Sequence, residues 1–188
     1  MKAIGGRAAE KRRRILDAAR SVMLREGFRG ATMEGIARAA GIAKPTLYAQ
    51  FADKEAVFAA LLEWFLDDLL AAFAEGMETG GDAAERIGAG LAAQYRLLAG
   101  MLEGSPHAAE LMSEHKRIGL SLADKDAAMM ARIEALLAEE GAADPGGLAR
   151  LVVAAAYGIA LKVPEETAMA AGVRLLCARL IRPELRGS

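Results

Sequence analysis

Residues 31–51 read ATMEGIARAAGIAKPTLYAQF, and this stretch decides the fold. Thr32 is a good helix N-cap, because its hydroxyl accepts from a free backbone N–H of the first turn. Glu34 in that turn suits the positive end of the helix dipole. Met33, Ile36, Ala37 and Ala40 recur at helical spacing on one side, so a short helix runs to Gly41. Gly41 lets the chain reverse without a side-chain clash, and Ala37 and Ala40 let two helices approach closely. After a turn of about three residues, Pro45 marks the first turn of another helix. Leu47 and Phe51, four apart, point inward together, while Lys44, Thr46, Tyr48 and Gln50 face out. Two short helices, a glycine turn and a polar outer face make a helix-turn-helix over about residues 32–51.

Working outward, the sequence predicts helices and nothing else. Upstream, Ile15, Leu16, Ala19, Val22 and Met23 mark a first helix that stops at Glu26-Gly27. Downstream, Asp53 caps a long fourth helix through Val57, Phe58, Leu61, Leu62, Phe65, Leu69 and Phe73, ending near Gly80-Gly81. Further helices are predicted over Asp82–Glu103, Pro106–Ile118, Ala123–Glu140, Gly147–Val163 and Glu165–Ile181, punctuated by Pro106, Gly141, Pro145 and Pro164. No window alternates as a strand would. The fold class is all-α, with about nine helices: a helix-turn-helix head over residues 9–69 and a helical body over 70–188. The boundary falls inside the fourth helix.

The charge is divided in the same way. The 188 residues carry 24 Lys and Arg against 25 Asp and Glu, a net of −1. Residues 1–54 hold 12 basic and only 5 acidic side chains, a net of +7, which leaves −8 on the rest. A run such as Lys11–Arg14 is by itself an ordinary solvated helix face. On a basic head that also carries a helix-turn-helix, it points to a polyanion. The second helix of such a pair fits the major groove of double-stranded DNA and presents its polar face to base edges. Helix N-termini and flanking lysines hold phosphates.

Residues 15–62, ILDAARSVMLREGFRGATMEGIARAAGIAKPTLYAQFADKEAVFAALL, resemble the N-terminal domain of the tetracycline-repressor (TetR) family. The likeness runs from about Ala9 to Leu69. It is carried by Ile15-Leu16, Ala18-Ala19, Gly27-Phe28, Thr32, Ile36-Ala37, Ala40-Gly41, Thr46-Leu47-Tyr48, Phe51 and Lys54-Glu55. The resemblance implies a homodimer on a palindromic operator, a body that binds a small-molecule effector, and a dimer seam made by the last two helices. It also implies DNA contacts: Thr32 to phosphate, Lys44, Pro45 and Thr46 at the start of the recognition helix, Tyr48 to phosphate, and Lys54 to the backbone. Gln50 stands where the family often has histidine and can read adenine through its amide, or simply face water. Ala43 stands where a capping serine is common, and the missing cap costs roughly 0.5–2 kcal/mol at that helix end. Each contact has a plain alternative, with Tyr48 a half-buried core aromatic and Thr32 a cap only.

The body says less. Leu148–Leu161 (LARLVVAAAYGIAL) is apolar almost all round, as a helix covered by both core and partner chain would be. The last helix offers Ala168, Ala170, Ala171 and Gly172 for close packing, with Val173, Leu176 and Leu180 in a stripe. These two helices read as the dimer interface, an isologous four-helix arrangement, with an internal core pair as the alternative. Trp64, Tyr95, Met101, Met112, Met129, Met130 and Tyr157 are candidates to line an effector pocket, although methionines at such spacing are more often plain core. His107, Glu110, Glu114 and His115 raise a metal site, but they lack a third strong ligand and read as surface or pocket polar groups.

No cofactor is called for. No phosphate-cradling GxxxxGK, nucleophile elbow or HExxH occurs, and Gly88-x-Gly90 follows no strand, so enzyme classes are disfavoured. The lone Cys177 allows no internal disulfide, and it reads as buried packing in a reducing compartment. The longest uncharged stretch near the C-terminus, Leu151–Leu161, is too short for a bilayer, and no apolar run follows the basic N-terminus. The expectation is a cytoplasmic transcriptional regulator, a repressor released by its effector, with no membrane partner. The alternative is a helical small-molecule-binding dimer that has lost specific DNA binding.

Overall fold

The computed structural model describes residues 3–102, 104–117 and 123–185. The side chains of 3–7, 101, 102, 112, 115–117 and 123–125 are not described. In chain order the helices are α1 (Ala3–Gly30), α2 (Met33–Ala39), α3 (Lys44–Tyr48), α4 (Lys54–Met77), α5 (Ala83–Leu102), α6 (Ala108–Arg117), α7 (Ala123–Glu139), α8 (Pro145–Lys162) and α9 (Glu166–Ile181). A 3-10 turn, Arg182–Glu184, follows α9. Among the described residues there is no strand, and the fold is all-α, as the sequence predicts.

The chain divides into two compact units, and the division falls inside α4. The first comprises Met1–Phe65 with Leu102–Leu120, the second Leu66–Met101 with Ser121–Ser188. The first unit therefore takes in α6, which packs against α1.

The first unit is built on α1. Ile15, Ala19, Val22 and Met23 are buried along one face, as their spacing requires, together with Ile36 and Ala37 of α2, Leu47 of α3, Val57 and Phe58 of α4 and Leu111 of α6. Phe28 and Phe58 stack in a tilted pair, with ring centroids 5.1 Å apart. Gly27, at φ 73°, breaks the helical path of α1, which is the stop that Glu26-Gly27 announces.

In the second unit Phe73 and Met77 of α4 share a core with Ile87 and Leu91 of α5, Ile133 and Leu137 of α7, Val152 and Ala156 of α8, and Val173, Cys177 and Ile181 of α9. Gly88 and Gly90 of α5 are contact points. A Cβ on Gly76 would lie 2.7 Å from the Gly90 Cα, and one on Gly90 would lie 2.9 Å from the Phe73 carbonyl oxygen. α4 and α5 thus cross backbone to backbone. Gly88 meets α9 in a looser version of the same contact, at Arg174 and Cys177. Burial pushes the Cys177 thiol up to about 12, so it packs as a neutral group. Asp82 caps α5 through the Glu85 N–H (2.8 Å) and holds the Arg182 guanidinium (2.8 Å), tying the turn after α9 to the start of α5. Burial alone would push the Asp82 carboxyl up, but the Glu85 N–H and the Arg182 cation together hold it below the usual carboxylate range. No described helix is long and apolar enough to cross a membrane.

Two outcomes follow for thermal unfolding. Gly76→Ala or Gly90→Ala should destabilise by about 1–3 kcal/mol through overpacking, against the helix propensity of alanine. Gly100→Ala, at an exposed α5 position with open space around it, should not. A depressed folded-state pKa stabilises above the unfolded value, and that stabilisation is lost as pH falls through the folded value. The Tm should therefore drop as pH falls below about 4, and Asp82→Asn should flatten part of that drop.

Candidate nucleic-acid interface

The two helices of residues 32–51 are capped as their sequence directs. The Thr32 hydroxyl accepts from the Gly35 N–H at 3.0 Å, at the exposed start of α2. At the other end the chain reverses through Gly41 (φ 64°), and the Ile42 N–H returns to the Ala37 carbonyl at 3.0 Å. That bond satisfies a carbonyl the helix leaves open. Ala43 precedes α3 with no side-chain cap. α3 itself has only five residues, and Leu47, fully buried, is its sole buried side chain. The Leu47 carbonyl accepts from the N–H groups of both Gln50 and Phe51 (2.9 Å each), so Gln50 sits in the turn that brings Phe51 back to the core.

This geometry leaves Thr32, Lys44, Pro45, Tyr48 and Gln50 exposed and Thr46 half-buried. Tyr48, 46% exposed, is not a core aromatic. Lys44 is already paired, its Nζ donating to Glu34 Oε1 at 3.0 Å across the turn. That hydrogen bond and charge raise its pKa. The sequence assigns Glu34 only a helix-dipole role, because a partner ten residues away on another helix has no local signature.

Lys54 is placed differently from a free backbone-contacting lysine. Its Nζ donates to the Ala31 carbonyl at 3.0 Å and the Arg29 carbonyl at 3.4 Å, and lies 4.6 Å from the centre of the Phe28 ring. It closes the carbonyl end of α1 just ahead of Thr32. The basic run also resolves into separate tasks, since consecutive helical residues point in different directions. Arg12 stacks over Phe51 (4.6 Å), Arg13 lies over Trp64 (6.0 Å), and Arg14 donates to the Ala40 carbonyl at the end of α2 (3.0 Å). These arginine contacts were not legible as more than a charge run.

The residues proposed to line an effector pocket do not form one group. Trp64 belongs to the first unit, against Arg13 and its core. Tyr95 and Met129 are buried in the core of the second, Met130 packs against that core, and Tyr157 is 43% exposed with its ring 6.4 Å from that of Tyr95. Burial, helped by the neighbouring Tyr157 and Asp126, pushes the Tyr95 hydroxyl upward, so it stays a neutral donor. The side chains of Met101 and Met112 lie outside the described residues, as does that of His115. His107 and Glu110 do meet, Nδ1 to Oε2 at 3.3 Å, but among the described residues no three His, Cys, Asp or Glu converge as metal ligands would.

Residues 15–61 match the model of "Bacterial regulatory proteins, tetR family". The "HTH-type transcriptional activator FasR" of Mycolicibacterium smegmatis is 33% identical over 86 residues, 46% of this chain and 39% of the relative. The "HTH-type transcriptional repressor KstR2" of Rhodococcus jostii is also 33% identical, over 88 residues, covering 47% and 43%. The matched stretch thus spans about two fifths of these curated relatives. The solved structure of Salmonella enterica GusR superposes with a TM-score of 0.66 over 92% of this chain and 96% of that one, at 25% identity. With its capped helices, glycine turn and exposed polar face, the head over residues 15–61 is similar to the matched domain of the tetR family of bacterial regulatory proteins.

Proposed function

We propose that the protein is a dimeric, sequence-specific DNA-binding transcriptional regulator, a repressor released from a palindromic operator by a small-molecule effector. The observation that carries this reading is the surface array of Thr32, Lys44, Pro45, Tyr48 and Gln50, with Thr46 half-buried among them. It is built around a short helix pinned by Leu47, on a head whose first 54 residues carry a net +7. Lys44, Thr46 and Gln50 read base edges, and Thr32 and Tyr48 hold phosphates. Lys54, which the sequence reading gave to the DNA backbone, acts from the start of α4 beside Thr32. The relatives named above include both an activator and a repressor.

Dimerisation is supported by α8 and α9. Their buried faces, Leu148, Ala149, Val152 and Ala156 with Met169, Val173 and Cys177, fill the core. Yet Leu151, Ala154, Gly158 and Leu161 form an exposed stripe on α8, and Ala168, Ala171 and Leu175 form one on α9. Leu151, Leu161 and Leu175 are each more than half exposed, an apolar surface that a second copy would cover. For the effector the reading is supported by the Tyr95–Tyr157 ring pair, 6.4 Å between centres beside the core that holds Met129, where aromatic faces and a hydroxyl can orient an apolar ligand. The effector acts by binding one of two states of the dimer better than the other.

Selection of the purified protein on random duplex DNA near physiological salt should enrich a palindrome. Only weak, sequence-independent binding, unchanged by added cell extract, would overturn the reading in favour of a ligand-binding dimer. Thr46→Ala and Gln50→Ala should change the preferred bases, each by about 1–3 kcal/mol of discrimination, whereas Tyr48→Phe should weaken all sequences alike. Leu151→Glu with Leu175→Glu should shift the protein to monomer in sedimentation and weaken operator binding without lowering its helix content.

A further inference from the structure

The link between α1 and α2 is held from outside the helix-turn-helix. After the break at Gly27 the chain runs through Phe28–Ala31 to Thr32, and its backbone groups find partners far along the sequence. The Arg29 N–H donates to Glu110 Oε1 of α6 at 2.9 Å, across 81 residues. The Ser105 hydroxyl donates to the Leu24 carbonyl at 2.7 Å. On the opposite side Lys54 takes the Arg29 and Ala31 carbonyls. His107 steadies Glu110 through its other oxygen. A side chain at residue 27 would displace that same carboxylate oxygen and meet the His107 ring, and the positive φ there favours glycine in its own right. Hydrogen bonding from the Arg29 N–H, which outweighs partial burial, also holds the Glu110 carboxyl below the usual range.

From this geometry we infer that Glu110 is a positioning residue for DNA binding: with Lys54 it clamps the 27–31 link and so fixes Thr32, the side chain given above to phosphate. The inference rests on the DNA-binding reading above. Arg29 lies three residues before Thr32, and the clamp holds the peptide groups on both sides of its Cα, one by its N–H and one by its carbonyl. A rotation of either would carry the cap with it. Glu110 touches no base or phosphate in this role.

The sign of its effect separates this role from simple electrostatics. Removing a carboxylate from a DNA-binding head should tighten binding if charge alone matters. Loss of the clamp should weaken it. The test measures affinity for the duplex that the wild-type protein selects, together with exchange protection of the Arg29 amide by NMR. Glu110→Ala should bind about tenfold more weakly, the equivalent of one charge-assisted hydrogen bond, with an unchanged salt slope and a lost Arg29 protection. Glu110→Gln, whose amide oxygen still accepts from Arg29, should restore most of both. Glu110→Asp keeps the charge but draws it back by one methylene, so it should behave like alanine and serves where the alanine variant does not fold. Equal or tighter binding by the alanine or aspartate variant overturns the inference, as does a loss that glutamine shares in full. A wild-type protein that selects no duplex overturns the DNA-binding reading and this inference with it.

Discussion

The burial of Leu47 is the constraint on which the candidate interface depends. A helix of five residues has no stability of its own, since nucleation alone costs more than one turn of hydrogen bonds returns. α3 exists because one fully buried leucine fastens it to a core made by α1, α2 and α4. Phe51, returned by the turn after α3, adds a second anchor and in turn receives Arg12 across its ring. With the apolar side of α3 fixed, its remaining side chains have no interior to enter. Their exposure is the consequence of that anchoring, and it is what makes a recognition surface possible.

The links into this head are made by charged groups on backbone ends. Arg14 closes the carbonyl end of α2, and Lys54 and Glu110 grip the connection ahead of it. Such contacts are small individually, but each replaces a backbone hydrogen bond that a helix terminus would otherwise leave to water. The second unit is organised by a different principle. There the glycines of α4 and α5 bring helices to backbone contact, and the core is closed by α7, α8 and α9 around them.

The particular elements show where sequence reading succeeds. The α2–α3 pair was legible because every signal is local: a threonine cap, a glycine at positive φ, a proline in the first turn, and apolar residues three and four apart. The body helices were legible for the same reason, with observed ends within a few residues of those expected from Pro106, Gly141, Pro145 and Pro164. α6 was legible as a helix but not as a neighbour of α1, because its partners lie some eighty residues away. The glycines of α5 were seen only as failing a nucleotide motif, since close approach of two backbones has no composition of its own. The candidate effector residues illustrate the limit most clearly. Trp64, Tyr95, Met129 and Tyr157 have similar apolar character in sequence, yet one lies in the head, two are core and one stands exposed at the surface.

The sequence by itself determined the all-helical class, the positions of the helices, the helix-turn-helix and the basic character of its head, because periodicity, capping and charge are written within a few residues. The tertiary structure decided which charged side chains are spoken for and which face solvent: Lys44 with Glu34, Lys54 and Glu110 on the α1–α2 link, Arg12 over Phe51. It also decided which apolar stripes of α8 and α9 are core and which remain exposed. Those outcomes depend on contacts between residues distant in the chain, and pairing at a distance is fixed only when the helices pack.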